Sequence, residues 1–155
     1  MRHSWAIPKR LFDVTAALAG LVVLSPLMLV LAVLVRATSP GPALFIQARV
    51  GRQGRVFRCA KFRTMCTGAQ AHGTVTTAAD ARVTPLGRWL RRWKLDELPQ
   101  LWNVLAGRMS FVGPRPDVPG YADRLQGADR RILELRPGIT GPATLLFRDE
   151  ERLLA

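Results

Sequence analysis

The chain has 155 residues, about one domain's worth, and 48% of them are apolar, which excludes wholesale disorder. Its 23 Lys and Arg against 11 Asp and Glu leave a net charge of +12, so the expected partner is anionic: nucleic acid, a phosphorylated substrate or acidic lipid. Two cysteines, Cys59 and Cys66, cannot build a disulfide scaffold, and with only His3 and His72 beside them they do not resemble a zinc cluster.

From Val14 to Val35 the chain carries no charge for 22 residues. As a helix this stretch is about 33 Å long, enough for a hydrocarbon core of about 30 Å. Membrane insertion is the first reading. Pro26, preceded by Ser25, lies near the middle, where proline removes a backbone donor and kinks or breaks a helix. Both flanks are basic: Lys9 and Arg10 before the segment, Arg36, Arg49, Arg52, Arg55 and Arg58 after it. A helix–break–helix hairpin at Ser25-Pro26 that enters and leaves by one face keeps both flanks cytoplasmic, and this re-entrant form is the expectation. A proline-kinked spanning helix is the alternative. A signal peptide fits less well, because the apolar core is too long and no small-residue cleavage site follows. Ser25 can offer a hydroxyl to broken backbone, and Asp13 can pair with Lys9 or Arg10 or cap the helix.

Residues 1–38 thus form an arm and membrane hairpin, and 39–155 a globular domain. Between Arg36 and Leu95 a single acid, Asp80, faces twelve bases, a bias suited to anionic headgroups. Ser39-Pro40-Gly41-Pro42 is a turn cluster. Ala43 to Val50 and Arg55 to Phe62 read as two short strands or a hairpin around Gly51–Gly54. Thr67 to Asp80 is a small-residue loop. Thr84 to Lys94 is helical with Pro85 in its first turn, and Leu86, Trp89, Leu90 and Trp93 share a face. Trp beside Arg and Lys suits a helix at a membrane interface; an ordinary amphipathic helix with its Trp in a small core fits equally. Asp96 then reads as the N-cap of a helix ending at Gly107, with Pro99 in its first turn. Met109 to Pro116 is a short apolar stretch into a rigid turn, Tyr121 to Leu135 a polar amphipathic helix, and Arg136 to Pro142 a rigid loop.

The unusual chemistry is Asp96-Glu97 beside Arg91, Arg92 and Lys94. The plain explanation is that two acids complement a helix dipole. The richer one is phosphate chemistry. Helix-start amides and Arg91 can hold phosphate, one carboxylate can attack phosphorus, and the other can hold Mg²⁺ against a diphosphate. At a helix N-terminus ringed by Arg, such a carboxylate is expected to have a lowered pKa.

The chain resembles the bacterial sugar transferase family of monotopic initiating phosphoglycosyl transferases. The resemblance runs through Lys9-Arg10-Leu11-Phe12-Asp13, Ser25-Pro26, Ser39-Pro40-Gly41-Pro42 with Phe45 and Gln47, and Arg49-Val50-Gly51. It continues in Lys61-Phe62-Arg63-Thr64-Met65, Asp80-Arg82-Thr84 with Gly87, Leu95-Asp96-Glu97-Leu98-Pro99-Gln100, Gly107, Val112-Gly113-Pro114-Arg115-Pro116 and Arg136-Pro137-Gly138-Ile139-Thr140-Gly141. It implies a re-entrant membrane helix and a helix-rich α/β (α+β) catalytic domain on the cytoplasmic face of the bacterial inner membrane. It implies transfer of a sugar 1-phosphate from a UDP-sugar to undecaprenyl phosphate, with UMP released, as the first membrane step of an exopolysaccharide, capsule or O-antigen-type glycan. By match to the motifs, Asp96 is the nucleophile and Glu97 the Mg²⁺ ligand. Lys61, Arg63 and Arg91 are positive positions for binding the substrate, and Pro114-Arg115-Pro116 shapes the nucleotide side of the pocket. No nucleic acid partner is implied.

Family members usually continue beyond the Gly138–Gly141 block, whereas this chain stops in Arg148–Ala155, which reads as a helix cut short. A truncated, inactive relative is therefore one competing expectation. A membrane-anchored basic module that binds lipid or nucleic acid, with Trp89 and Trp93 stacking on bases, is another.

Overall fold

The computed structural model describes residues 6–68 and 80–142. Most of the Thr67–Asp80 loop, His3, His72 and the Arg148–Ala155 tail lie outside the described residues. Among the described residues, four strands and three α-helices appear in the order α1 (Ala6–Thr38), β1 (Leu44–Val50), β2 (Val56–Phe62), α2 (Pro85–Arg92), α3 (Gln100–Leu105), β3 (Ser110–Val112) and β4 (Gly138–Thr140). The expected mixture of helix and sheet is borne out. β1 and β2 form an antiparallel hairpin, and β3 pairs with β4 in parallel.

α1 is long and apolar enough to cross a membrane by length and composition. It runs as one helix through Ser25-Pro26, with no break in the helical backbone at that point. The local chemistry explains the continuity. Pro26 has no N–H for the carbonyl of Val22, and the Ser25 hydroxyl donates to that same carbonyl at 2.8 Å. One lost backbone bond is thereby replaced.

One stripe of α1 packs on the rest of the protein. Its buried positions, Asp13, Ala17, Leu31 and Val35, recur at helical spacing. Gly20, between them, faces Leu101. Ala17 meets Val104 and Met109, while Leu31 and Val35 meet Phe62 and Leu90. Both halves of the helix therefore rest on the same folded body. The other faces leave Leu18, Val22, Val23, Leu29, Val30 and Val33 exposed, far more contiguous apolar surface than a water-facing helix carries.

Polar latches hold each end of α1. Arg10 donates to the carbonyls of Val104 (2.8 Å) and Leu105 (3.0 Å), at the end of α3, where a cation suits the helix dipole. The buried Asp13 carboxylate accepts from the Ser110 hydroxyl and the Phe111 amide, and Lys9 lies 3.5 Å away. At the far end Arg63 donates to the Ser39 carbonyl (2.7 Å), the Ser39 hydroxyl (2.9 Å) and the Pro40 carbonyl.

The hairpin register pairs Phe45 with Lys61, Gln47 with Cys59 and Arg49 with Phe57, so these six share one face, and that face is the less exposed one. The Asn103 side chain on α3 accepts from Ala60 N–H and donates to the Arg58 carbonyl. It completes the open backbone edge of β2.

α2 begins as expected: the Thr84 side chain accepts from Gly87 N–H, with Pro85 following it. Its Leu90 is fully buried, whereas Trp89 and Trp93 are 47% and 62% exposed, so the tryptophans are not core residues. The segment 121–135 differs from the expected amphipathic α-helix. It forms two 3₁₀ stretches, Ala122–Arg124 and Gly127–Glu134, because Leu125 and Gln126 are extended and Gly127 has a φ of 58°. The expected loop 136–142 contains β4. There Gly113 and Gly138 bring two backbones together: a Cβ on Gly138 would lie 2.2 Å from the Gly113 nitrogen.

Candidate active site

Asp96 and Glu97 do not cap a helix. They lie in a separate 3₁₀ turn, Leu95–Glu97, and α3 starts only at Gln100. Lys94, with a φ of 55°, reverses the chain between α2 and this turn. The carboxylates are therefore placed by a tight reversal packed against β2, and no dipole of a long helix acts on them.

Asp96 is 7% exposed, and its buried Oδ1 has no hydrogen-bond partner among the described residues. Burial pushes its pKa above the ordinary carboxylate value; neighbouring Glu97 adds to this, and Lys61, Arg91 and Lys94 oppose it. The expectation of a lowered pKa is thus corrected. Desolvation outweighs the surrounding cations, and the buried Oδ1 has no hydrogen bond among the described residues to favour the charged form.

Glu97 is the more accessible of the two. Its Oε1 lies 2.7 Å from Lys61 Nζ, and both side chains are partly shielded. Lys61, Glu97, Arg115 and Pro116 line one narrow cleft, joined by Arg49, Cys59, Lys94 and Gln100. Arg91 reaches from α2, its Nε donating to the Thr64 hydroxyl at 2.9 Å.

Pro114, Arg115 and Pro116 form a strap tied at three points. Gly138 N–H donates to the Pro114 carbonyl (2.9 Å), Arg49 to the Pro116 carbonyl (2.9 Å), and Val50 N–H to the Asp117 carbonyl (2.8 Å). The strap separates the carboxylate cleft from a larger one of about 560 Å³, whose walls include Pro114, Tyr121, Leu125, Leu133 and Pro137. Arg115 lines both. The larger cleft is lined by neither Asp96 nor Glu97; Glu97 lines the smaller one, and Asp96, next to it in the chain, lines neither.

Arg63 stands apart from these residues. Its buried guanidinium is committed to the end of α1, and it lines neither cleft. The structure shows it as a clasp on the end of α1, with its Nε buried and unpartnered among the described residues. Ser25 and Pro26 are exposed on α1, away from both clefts' lining residues.

Arg49, Cys59 and Gln100 are cleft residues to which the sequence reading gave no site role, although Arg49 and Gln100 fall within its motif blocks. A signal existed for Arg49. Once the hairpin is in register, Arg49 and Lys61 fall on its inward face, and charge on a buried strand face marks a site. Burial lowers the Arg49 pKa and raises that of the Cys59 thiol.

Mg²⁺ fits this donor set. Among the described residues no cluster of three or more His, Cys, Asp or Glu could hold a metal, and Mg²⁺ beside a diphosphate needs only one or two carboxylates. Glu97 offers one, next to the unpartnered oxygen of Asp96.

The chain has relatives among known proteins. The profile described as bacterial sugar transferase matches residues 4–153. The UDP-N-acetylgalactosamine-undecaprenyl-phosphate N-acetylgalactosaminephosphotransferase of Aeromonas hydrophila is 43% identical over 149 residues, covering 92% of this chain and 34% of that protein. The undecaprenyl-phosphate glucose phosphotransferase of Komagataeibacter xylinus is 42% identical over 147 residues, 90% of this chain and 28% of its own length. The exopolysaccharide production protein PSS of Rhizobium leguminosarum bv. phaseoli is 41% identical over 146 residues, 88% of this chain and 72% of that protein. The chain thus spans about a third of the first two relatives and most of the third.

Proposed function

Because the chain belongs to the bacterial sugar transferase family, we propose that it transfers a sugar 1-phosphate from a UDP-sugar to undecaprenyl phosphate, opening the synthesis of an exopolysaccharide, capsule or O-antigen-type glycan. The observation that carries this reading is Asp96: a buried carboxylate with an unpartnered oxygen, beside a second carboxylate and among Lys61, Arg91 and Lys94. A structural aspartate at such depth would be hydrogen-bonded.

In the first step an Asp96 oxygen forms a bond to the sugar-bearing phosphorus. The bond from that phosphorus to the bridging oxygen breaks, and UMP leaves with the electron pair. In the second step a phosphate oxygen of undecaprenyl phosphate attacks the same phosphorus, and the Asp96 carboxylate departs. The acyl phosphate is reactive enough to serve a weak nucleophile, and nucleotide and lipid need not meet in one complex. Arg115 and the cations of the smaller cleft offset the charge of anion approaching anion. Glu97 would hold a Mg²⁺ ion, which would supply further neutralisation of the diphosphate. The nucleoside takes the larger cleft, whose apolar walls meet the smaller one at Arg115.

α1 seats this site at the cytoplasmic face of the inner membrane. In support, both its halves pack on one body, and its free faces are apolar. Arg36 at its end and Arg88 and Arg92 on α2 suit anionic headgroups. On this reading α1 re-enters the face it leaves; since the helix is unbroken at Ser25-Pro26, the return requires a bend, and Pro26 is where the helix bends most easily.

The test is addition of UDP-sugar and Mg²⁺ with no lipid acceptor. UMP should appear as a burst of about one per enzyme if the intermediate accumulates, and lipid-linked product should follow once undecaprenyl phosphate is supplied. Asp96→Asn should abolish both, and equal product from it sinks the assignment. Cysteines placed at Lys9 and Arg36 should both react with an impermeant maleimide only from the cytoplasmic side; opposite accessibility sinks the re-entrant reading.

A further inference from the structure

The Lys61–Glu97 pair has a consequence for how the site loads, and this inference rests on the function proposed above. Glu97 is the carboxylate suited to a divalent ion, yet its Oε1 is already 2.7 Å from an ammonium. Both partners are partly withdrawn from water, where a charge-assisted contact of this length is stronger than on an open surface. A metal cannot take that oxygen without facing Lys61 at close range. Two cations on one carboxylate oxygen repel by several times their repulsion in bulk water.

Lys61 has somewhere else to act. Lysine carries a compact charge on a flexible stem and binds phosphate well, and Lys61 lines the same narrow cleft as Arg49 and Arg115. A diphosphate there competes with Glu97 for the ammonium, and its arrival frees the carboxylate. We propose that Lys61 is a place-holding cation on Glu97, so that the free protein binds divalent metal weakly and the diphosphate donor and the metal each favour the other's entry. Such coupling is reciprocal: whatever factor the diphosphate gives the metal, the metal returns.

The experiment uses the full chain in detergent or nanodiscs, with Mn²⁺ as the metal probe and UDP as the diphosphate. Free Mn²⁺ is read by electron paramagnetic resonance, and the direct Mn²⁺–UDP association is subtracted from a protein-free control. Lys61→Met should bind Mn²⁺ alone about tenfold more tightly than wild type, about 1.4 kcal/mol. Its mutual enhancement between Mn²⁺ and UDP should shrink by a similar factor. Lys61→Arg, which keeps the charge, should retain weak Mn²⁺ binding. A gain of affinity is an outcome that misfolding does not mimic. Unchanged or weaker Mn²⁺ binding by Lys61→Met overturns the inference, as does undiminished coupling. If the wild type turns over donor while either of these holds, only the role of Lys61 falls. If the wild type binds neither Mn²⁺ nor UDP, the inference and the proposed function fall together.

Discussion

Gly87 lies so close to Thr64 that a Cβ on it would sit 2.1 Å from the Thr64 carbonyl oxygen. α2 thus meets the end of the hairpin backbone to backbone, and the same Thr64 accepts from Thr84 N–H and, through its hydroxyl, from Arg91. In an open helix Gly→Ala gains about 1 kcal/mol. Here the obstacle is backbone, which cannot swing aside, so Gly87→Ala should cost about 1–3 kcal/mol instead. Thermal unfolding should show a melting temperature lowered by several degrees, with transferase activity falling further as Arg91 shifts. A melting temperature at or above that of wild type contradicts this packing.

Arg63 offers a test between clasp and substrate ligand. Its guanidinium serves the Ser39 carbonyl and hydroxyl and the Pro40 carbonyl. Arg63→Met leaves these acceptors without their charged donor, at a cost of about 2–4 kcal/mol. The folded fraction at low temperature should keep its KM for the donor, while thermal stability drops. A raised KM with unchanged melting temperature would return Arg63 to the substrate site.

Asp96→Asn should separate stability from activity, with a definite dependence on pH. Because burial raises the folded pKa of Asp96 above its ordinary 3.8, the folded protein holds the proton more tightly than the unfolded chain. Below pH 3.8 no ionisation cost is present; as pH rises from there through the raised folded value, ionising Asp96 removes stability, and the loss is complete above it. Asn carries no such cost. At neutral pH the variant should melt a few degrees above wild type, and the difference should vanish below the window. Equal melting curves at pH 7 would contradict the burial of a charge.

Trp89 and Trp93 are exposed next to Arg88 and Arg92 on α2, and α2 packs on α1 through Leu90. Replacing both by Ala should change the melting temperature in detergent by no more than about 0.5 kcal/mol's worth. Retention on vesicles containing phosphatidylglycerol should weaken, and more so at high salt. A large loss of stability would make them core residues after all.

Local chemistry made much of this fold legible. The Gly51–Gly54 turn between two aromatic segments announced the hairpin, Thr84-Pro85 announced α2, and Gly107, with a φ of 78°, ended α3 where expected. Three features needed the third dimension. The Ser25 hydroxyl is foreseeable as a donor to broken backbone, but that its bond to Val22 leaves the helix continuous at Pro26 emerged only from the fold. The 3₁₀ turn at Asp96 depends on Lys94 adopting a left-handed conformation, which no lysine advertises. The commitment of Arg63 to α1 pairs residues 24 apart in sequence, so its positive charge looked no different from that of Lys61 two residues earlier. The carboxylate pair with Arg91 and Lys94 was readable because these residues lie close along the chain; the approach of Lys61, 36 residues from Glu97, and the inward face holding Arg49 and Cys59 emerged only with strand register.

The seam along α1 makes the apolar helix and the globular body inseparable. Ala17, Leu31 and Val35 fill cavities that would otherwise open beneath Val104, Met109, Phe62 and Leu90. Trimming residues 6–38 would therefore strip away part of the interior of the globular body. With α1 as the proposed membrane anchor, a solubiliser must shield the helix's outer faces while leaving the inner seam closed.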